Sequence, residues 1–233
     1  VLFSGTPCQI DGLKHYLRKE YPTLLTVDLV CHSIPSPLIY KEYMSYCSKK
    51  LGHEIVSIDM RYKRTYGWSK RYSYRFHFAN GKKTIDPTCV VNWGKLFFSE
   101  MINRPSCGKC QYTNLNRVGD FTIADFGDDA KKRTDIYSKE GTSLLLVNTE
   151  KAQSLLSKGN NSYYSWTITK DEALQPCLCH VTKQSDRRGE FWKYYYENGF
   201  EKTYKNFFAD SKYLIFKKII KKLKNKKKLK LHL

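Results

Sequence analysis

Long apolar stretches and acidic residues are both scarce in this sequence. No run reaches the roughly 18 apolar residues that a membrane-spanning helix requires. Lysine and arginine total 41 against 22 acids, which leaves a net charge of +19. The sequence shows no signal-peptide pattern, so we expect its eight cysteines to stay reduced in the cytoplasm and not to form disulfides.

The absence of acids is complete in residues 211–233, which contain ten lysines. This tail carries about half of the excess charge, so the folded part is not expected to bind nucleic acid specifically. The tail's apolar residues recur at helical spacing and predict a basic amphipathic helix: Phe216, Ile219, Ile220 and Leu223. It could be a solvated terminal helix, or it could contact anionic lipid or an acidic partner.

The remaining composition is sufficient for a substantial hydrophobic core. The chain has 233 residues, of which 41% are hydrophobic and 15% aromatic. This allows one large domain, or one domain with an appendage. Val1 falls inside a predicted core strand, so we expect the N-terminal part of the intact protein to be missing from this chain.

One cysteine is predicted to lie in the first turn of a helix. Residues 1–4 predict a short buried strand, and Gly5 begins the turn that follows it. Thr6 suits the N-cap, Pro7 the first helical position, and Gln9 completes a capping box. Cys8 would then lie near free backbone N–H groups and the positive end of the helix dipole, which favour the metal-binding thiolate.

A second cysteine has a similar setting, and two more form a C-x-x-C pair. Residues 24–30 predict an apolar strand that leads into Cys31, and Ser36-Pro37 would open the next helix. Cys8 and Cys31 would therefore lie at the carboxyl edge of one sheet, where open α/β folds bind ligands. Cys107 and Cys110 lie in a loop over residues 104–117.

Four thiolates could hold either a tetrahedral zinc ion or a [4Fe–4S] cluster. Two isolated ligands at a sheet edge favour the cluster, because structural zinc sites more often pair two C-x-x-C knuckles. Alternatively, Cys8 and Cys31 are small buried hydrophobic residues and only the C-x-x-C is special. Five further residues are assigned no ligand role: Cys47, expected in the core, and Cys89, Cys177, Cys179 and His32.

The remaining pattern predicts an α/β fold. It has a mostly parallel sheet flanked by helices, an inserted antiparallel hairpin and a helical basic tail. Alternating residues predict the hairpin, with its turn at Asn80-Gly81. Hairpin strands are predicted at 54–61, 71–79 and 82–86; further strands at 120–126, 143–149 and, as a weaker candidate, 163–169; and helices at 92–103 and 150–158.

Two polar groups are further candidates for binding. Arg61 and Lys63, near Trp68, could clamp phosphates and stack on a flavin or deazaflavin, or could be exposed charges on the hairpin. Asp125 and the acids at 128 and 129 could bind Mg²⁺, but their loop setting favours a turn.

Six separated motifs, taken together, resemble a known family. They begin with Gly5-Thr6-Pro7-Cys8-Gln9-Ile10, Asp28-Leu29-Val30-Cys31-His32 and Arg61-x-Lys63 followed by Gly67-Trp68. They continue with Ser106-Cys107-x-x-Cys110, Gly119-Asp120-x-Thr122-Ile123-x-Asp125-Phe126 and Gly141-x-Ser143-Leu144. In this order they are similar to the C-terminal domain of the beta subunit of coenzyme F420-reducing hydrogenases and F420-linked formate dehydrogenases, over residues 1–205.

The resemblance implies an iron–sulfur flavoprotein that passes electrons between a redox partner and F420 or another acceptor. It implies a [4Fe–4S] cluster held by four thiolates, namely those of Cys8, Cys31, Cys107 and Cys110. It also implies FAD near the turn formed by Gly5, Thr6, Pro7 and Gln9, and near Arg61 and Lys63. The implied partners are a redox subunit or ferredoxin-like domain and a small-molecule acceptor, and residues 206–233 would be an appended tail.

The chain departs from the family pattern at two places. Ser33 follows the Cys-His pair where the family commonly has glycine, and Ala124-Asp125-Phe126-Gly127-Asp128 replaces a Gly-Asp-Phe-Trp-Gly run. The second departure bears on acceptor and flavin contacts. A zinc-stabilised binding module and an accessory protein without redox catalysis therefore stand as alternatives.

Overall fold

A computed structural model describes residues 1–64, 67, 73–87, 92–126, 133–159 and 163–208. Its strands are β1 Leu2–Gly5, β2 Leu25–Leu29, β3 Ile55–Asp59, β4 Arg75–Phe78, β5 Lys83–Ile85, β6 Phe121–Asp125 and β7 Ser143–Val147. Its α-helices are α1 Pro7–Leu17, α2 Pro37–Leu51, α3 Trp93–Phe97, α4 Glu150–Lys158, α5 Lys170–Ala173, α6 Pro176–Cys179 and α7 Arg188–Phe208, and a 3₁₀-helix covers Pro105–Lys109. No helix in these ranges is long and apolar enough to cross a membrane.

The main sheet has the strand order β1-β2-β6-β7. Strands β1, β2 and β6 are parallel, whereas β7 runs antiparallel to β6. Gly5 pairs with Asp28, and Asp28 with Thr122, so the carboxyl ends of the three parallel strands meet at one edge. The α/β class with a mostly parallel sheet is confirmed.

The predicted hairpin forms an antiparallel sheet of its own, with the order β3-β4-β5. Gly81 in its turn has a φ of +78°, which glycine adopts without strain. The largest hydrophobic core joins this sheet to α2, α3 and α7, and includes the fully buried Tyr43, Phe76 and Leu96. Cys47 is also fully buried there, as predicted. The connection between β2 and β6 therefore packs together with helix α7 into a substantial unit.

Three local predictions differ from the structure. Strand β1 is not buried, because it is an edge strand of the main sheet; Leu2 is 65% exposed. The helix predicted from residue 92 ends at Phe97, and Glu100 has a φ of +59°, which is incompatible with a continuing helix. Residues 163–169 contain no strand. The predicted tail helix at 211–233 lies outside the described residues.

Candidate metal centre

Cys8 lies at the N-terminus of α1, where β1 ends. The predicted capping box is present, and the Thr6 N–H donates to Gln9 Oε1 over 2.9 Å. Thr6 Oγ1 also lies 3.1 Å from Cys8 Sγ. The Cys8 side chain is exposed, so the cap holds a thiol on the surface at the carboxyl edge of the sheet.

Cys31 follows β2 at the same edge. The Val30 N–H donates to the Ile123 carbonyl of β6 over 3.0 Å, which keeps the chain against the sheet up to the cysteine. The pKa of Cys31 is raised to about 12, mainly by burial and to a smaller extent by the thiols of Cys107, Cys8, Cys110 and Cys177, in that order. Cys31 is therefore near enough to the other three predicted thiols, and to Cys177, to interact with them electrostatically.

The C-x-x-C loop reaches Cys31 through backbone pairing. The Arg104 N–H donates to the Ile34 carbonyl and the Ser36 N–H to the Ile102 carbonyl, each over 2.8 Å. This pairing places the 3₁₀-helix beside the segment that follows Cys31. The Ile34 N–H then contacts Cys107 Sγ at 3.4 Å. This contact ties the first sulfur of the C-x-x-C to the segment that follows Cys31.

Two side chains tie the far end of this loop to the rest of the site. The Tyr112 hydroxyl donates to Asp11 Oδ2 of α1 over 2.6 Å. Arg117 donates to the Tyr112 carbonyl and to Asp28 Oδ1 of β2, each over 2.6 Å. The segments carrying Cys8, Cys31 and the C-x-x-C are therefore joined by polar contacts.

The donor set suits a thiolate-bound cluster. Within the described ranges, no three His, Cys, Asp or Glu side chains are close enough to surround one metal ion. In a cubane each thiolate binds a different iron, so its four ligands lie further apart than those of a single zinc ion. The four predicted ligands are free thiols, which is the donor type that such a cluster binds, and their role as ligands stays a prediction.

Family membership follows from the sequence match over this region. Residues 1–173 match the family described as the C terminus of the beta subunit in coenzyme F420 hydrogenase/dehydrogenase. The chain belongs to this family. All four cysteines lie within the matched residues, and the family is named after hydrogenases and dehydrogenases, which are oxidoreductases.

A solved structure is also similar to this F420 hydrogenase/dehydrogenase beta-subunit domain. It is a chain of the xenon-derivatised F420-reducing [NiFe] hydrogenase complex from Methanosarcina barkeri. The identity is 15% and the TM-score is 0.38, with 68% of this chain and 47% of that chain covered. This chain thus spans about half of that one. The comparison of this chain with curated proteins found no match.

The structure places Arg61 at the same sheet edge as the Gly5–Gln9 turn. Arg61 Nη1 lies 3.2 Å from Asp125 Oδ2, at the end of β6. Strand β2 separates β1 from β6, and β6 runs three residues beyond Thr122, which is level with Gly5, so the strand ends are about 14 Å apart. Lys63 is exposed nearby in the chain. The candidate residues 68, 128 and 129 lie outside the described residues.

Three residues without an assigned role adjoin the thiols. His32 Nε2 lies 2.7 Å from Glu100 Oε1, and His32 Nδ1 lies 3.7 Å from Cys177 Sγ. The His32 ring packs against Phe97 and Phe98, with centroids 5.3 and 5.1 Å away. Cys177 is 145 positions from His32 in the sequence. The sequence shows a Cys-His pair at 31–32 and a C-x-C-H motif at 177–180. Neither motif predicts that His32 and Cys177 lie next to each other.

Proposed function

We propose that this chain is an iron–sulfur flavoprotein module that transfers electrons between a [4Fe–4S] cluster, FAD and a deazaflavin-like or other small-molecule acceptor. The observation that carries the proposal is the contact of the C-x-x-C loop with the segment that follows Cys31, where the Ile34 N–H meets Cys107 Sγ at 3.4 Å beside the sheet edge that also carries Cys8. Membership of an oxidoreductase family supports the same interpretation. A ligand set drawn from three separate segments suits a cofactor that holds those segments together.

The chain's residues have distinct roles in this proposal. The four cysteines would hold the cluster, which supplies one-electron transfer, while bound flavin supplies hydride chemistry. Arg117 and Tyr112 hold the C-x-x-C loop against β2 and α1 through protein contacts alone. The Ile34 N–H would donate to the Cys107 sulfur and stabilise negative charge there.

The proposed FAD site is the sheet edge that carries the turn formed by Gly5, Thr6, Pro7 and Gln9. Open α/β sheets commonly bind ligands at the carboxyl ends of their strands. Two cations, Arg61 and Lys63, would bind the pyrophosphate, since both lie in the segment that the Arg61–Asp125 contact brings to this edge.

Anaerobic reconstitution with iron and sulfide tests the cluster. We expect about four irons per chain and a brown protein with an EPR signal after reduction. Cys107→Ala should lose most of the iron, whereas the matched control Cys179→Ala, at an exposed thiol, should keep it. Cys177→Ala should also keep it, since only four ligands are needed. A colourless protein with one zinc would contradict the proposal.

The flavin and the acceptor need separate tests. FAD should copurify or bind with a characteristic absorbance, and combined replacement of Arg61 and Lys63 by Ala should weaken that binding without removing iron. A screen of deazaflavin and flavin acceptors would identify the substrate. We further propose a cytoplasmic location, a redox partner subunit or ferredoxin-like domain, and contact of the lysine tail with an anionic surface.

A further inference from the structure

Ser33 has a buried hydroxyl without a hydrogen-bond partner among the described residues. The residue is only 6% exposed. Buried hydroxyl groups are nearly always hydrogen-bonded, because leaving one unsatisfied costs the full desolvation of the group. An unpaired hydroxyl at this depth therefore indicates a partner that the described residues do not supply.

The position of Ser33 points to that partner. Ser33 is two residues after Cys31 and directly before Ile34, whose N–H contacts Cys107 Sγ at 3.4 Å. In the chain it thus separates the proposed ligand Cys31 from the residue whose N–H contacts a second proposed ligand, Cys107. A hydroxyl group is a donor as well as an acceptor, and thiolate and sulfide sulfurs accept hydrogen bonds.

The neighbouring hydroxyl group of Thr182 provides a contrast. Thr182 Oγ1 donates to the His32 carbonyl over 2.6 Å, so its hydrogen-bonding capacity is used within the protein. Both hydroxyls contact or adjoin the segment that follows Cys31, but only that of Ser33 is unpaired in the described part of the chain. This difference makes Thr182 a matched control.

We propose that the Ser33 hydroxyl donates a hydrogen bond to a sulfur of the cluster, either a ligand thiolate or an inorganic sulfide. The inference rests on the proposed function. Reduction adds negative charge to the cluster, so a donor to sulfur stabilises the reduced form more than the oxidised form. Ser33 therefore raises the reduction potential of the centre, and does so without being a ligand.

The test is an EPR-monitored redox titration of reconstituted wild type, Ser33→Ala and Thr182→Val. We expect Ser33→Ala to retain the iron of the wild type and to shift the midpoint to more negative potential. The reduced-to-oxidised ratio at a fixed potential should fall about tenfold, which is about 59 mV for one electron. Thr182→Val should leave the midpoint unchanged.

A second measurement uses the cluster-free protein. Because Ser33→Ala removes an unpaired polar group, its melting temperature should equal or exceed that of the wild type, whereas Thr182→Val should melt lower. An unchanged midpoint, a loss of iron or a lower melting temperature in Ser33→Ala would each overturn the inference. Failure of the wild type itself to bind iron would instead overturn the proposed function.

Discussion

Arg117 Nη2 lies 2.6 Å from Asp28 Oδ1, and neither side chain is more than 1% exposed. The Gly119 N–H donates to the other oxygen of Asp28, Oδ2, over 2.8 Å. Arg117 also donates to the carbonyls of Tyr112 and Leu29. This buried pair thus connects the chain that follows the C-x-x-C to the strand that leads into Cys31.

Arg117→Met should destabilise the cluster-free protein by about 3–5 kcal/mol, because it leaves the Asp28 carboxylate buried without its cation. Denaturant unfolding measures the change. Arg187→Met, which breaks an exposed pair with Glu190, is the control and should have little effect. A small effect of Arg117→Met would mean that Asp28 is not held as a buried charge.

Tyr112→Phe removes the hydroxyl that joins the C-x-x-C loop to Asp11 of α1. We expect a loss of about 1 kcal/mol in unfolding free energy, since the bond to Asp11 and an exposed bond from Gln111 Nε2 are removed while little packing changes. Iron uptake should become slower, because the loop is less firmly placed beside Cys8. Tyr16→Phe, at an 83% exposed position of the same helix, should change neither quantity.

Stability should depend on pH through Asp120. Burial raises the pKa of this carboxyl, but hydrogen bonds from Thr26, Lys151 and Thr149 outweigh it and leave its pKa below the usual value. A lowered folded-state pKa contributes stability that is present above the unfolded value of about 3.9 and is lost as pH falls through the folded value.

Asp120→Asn should therefore lower the free energy of unfolding by about 1–3 kcal/mol at pH 7. The difference in unfolding free energy between this variant and the wild type should become smaller below about pH 4. Urea unfolding at pH 7, 5 and 3 provides the measurement. A gap of equal size at all three values would show that the charge of Asp120 is not what the hydrogen bonds stabilise.

Gly199 interrupts α7 with a φ of +74° and a ψ of 173°. This combination of backbone angles is essentially restricted to glycine, so Gly199→Ala should destabilise the protein by about 1–3 kcal/mol. Gly189→Ala in the same helix is the matched control. Gly189 has no positive φ and open space around its Cα, so that change should be neutral or slightly stabilising. Thermal unfolding would separate the two variants.

Features governed by neighbouring residues could be predicted from the sequence. The Thr6–Gln9 capping box, the Ser36-Pro37 helix start and the helix at Glu150–Lys158 are all confirmed. Each depends on side chains three or four positions from the backbone groups they satisfy. The Asn80-Gly81 turn is also confirmed, because it too depends on the conformational preferences of adjacent residues.

Features that depend on distant pairing could not be predicted. The apolar pattern of residues 143–149 predicts a strand but not its direction, and β7 runs antiparallel to β6. Residues 1–4 have the same apolar character as a buried strand, yet β1 is at an edge. Strand neighbours are chosen by the packing of the whole sheet, which a local pattern does not contain.

The sequence by itself determined the strand–cysteine–helix units, the C-x-x-C loop and the family, because these rest on short-range spacing and on motif order. Only the tertiary structure decided that the pairing of residues 34–36 with 102–104 brings Cys107 to Cys31, and that Cys177 meets His32. The physical reason is that such contacts join segments far apart in the chain, and their closure is stabilised by the packing of the complete fold.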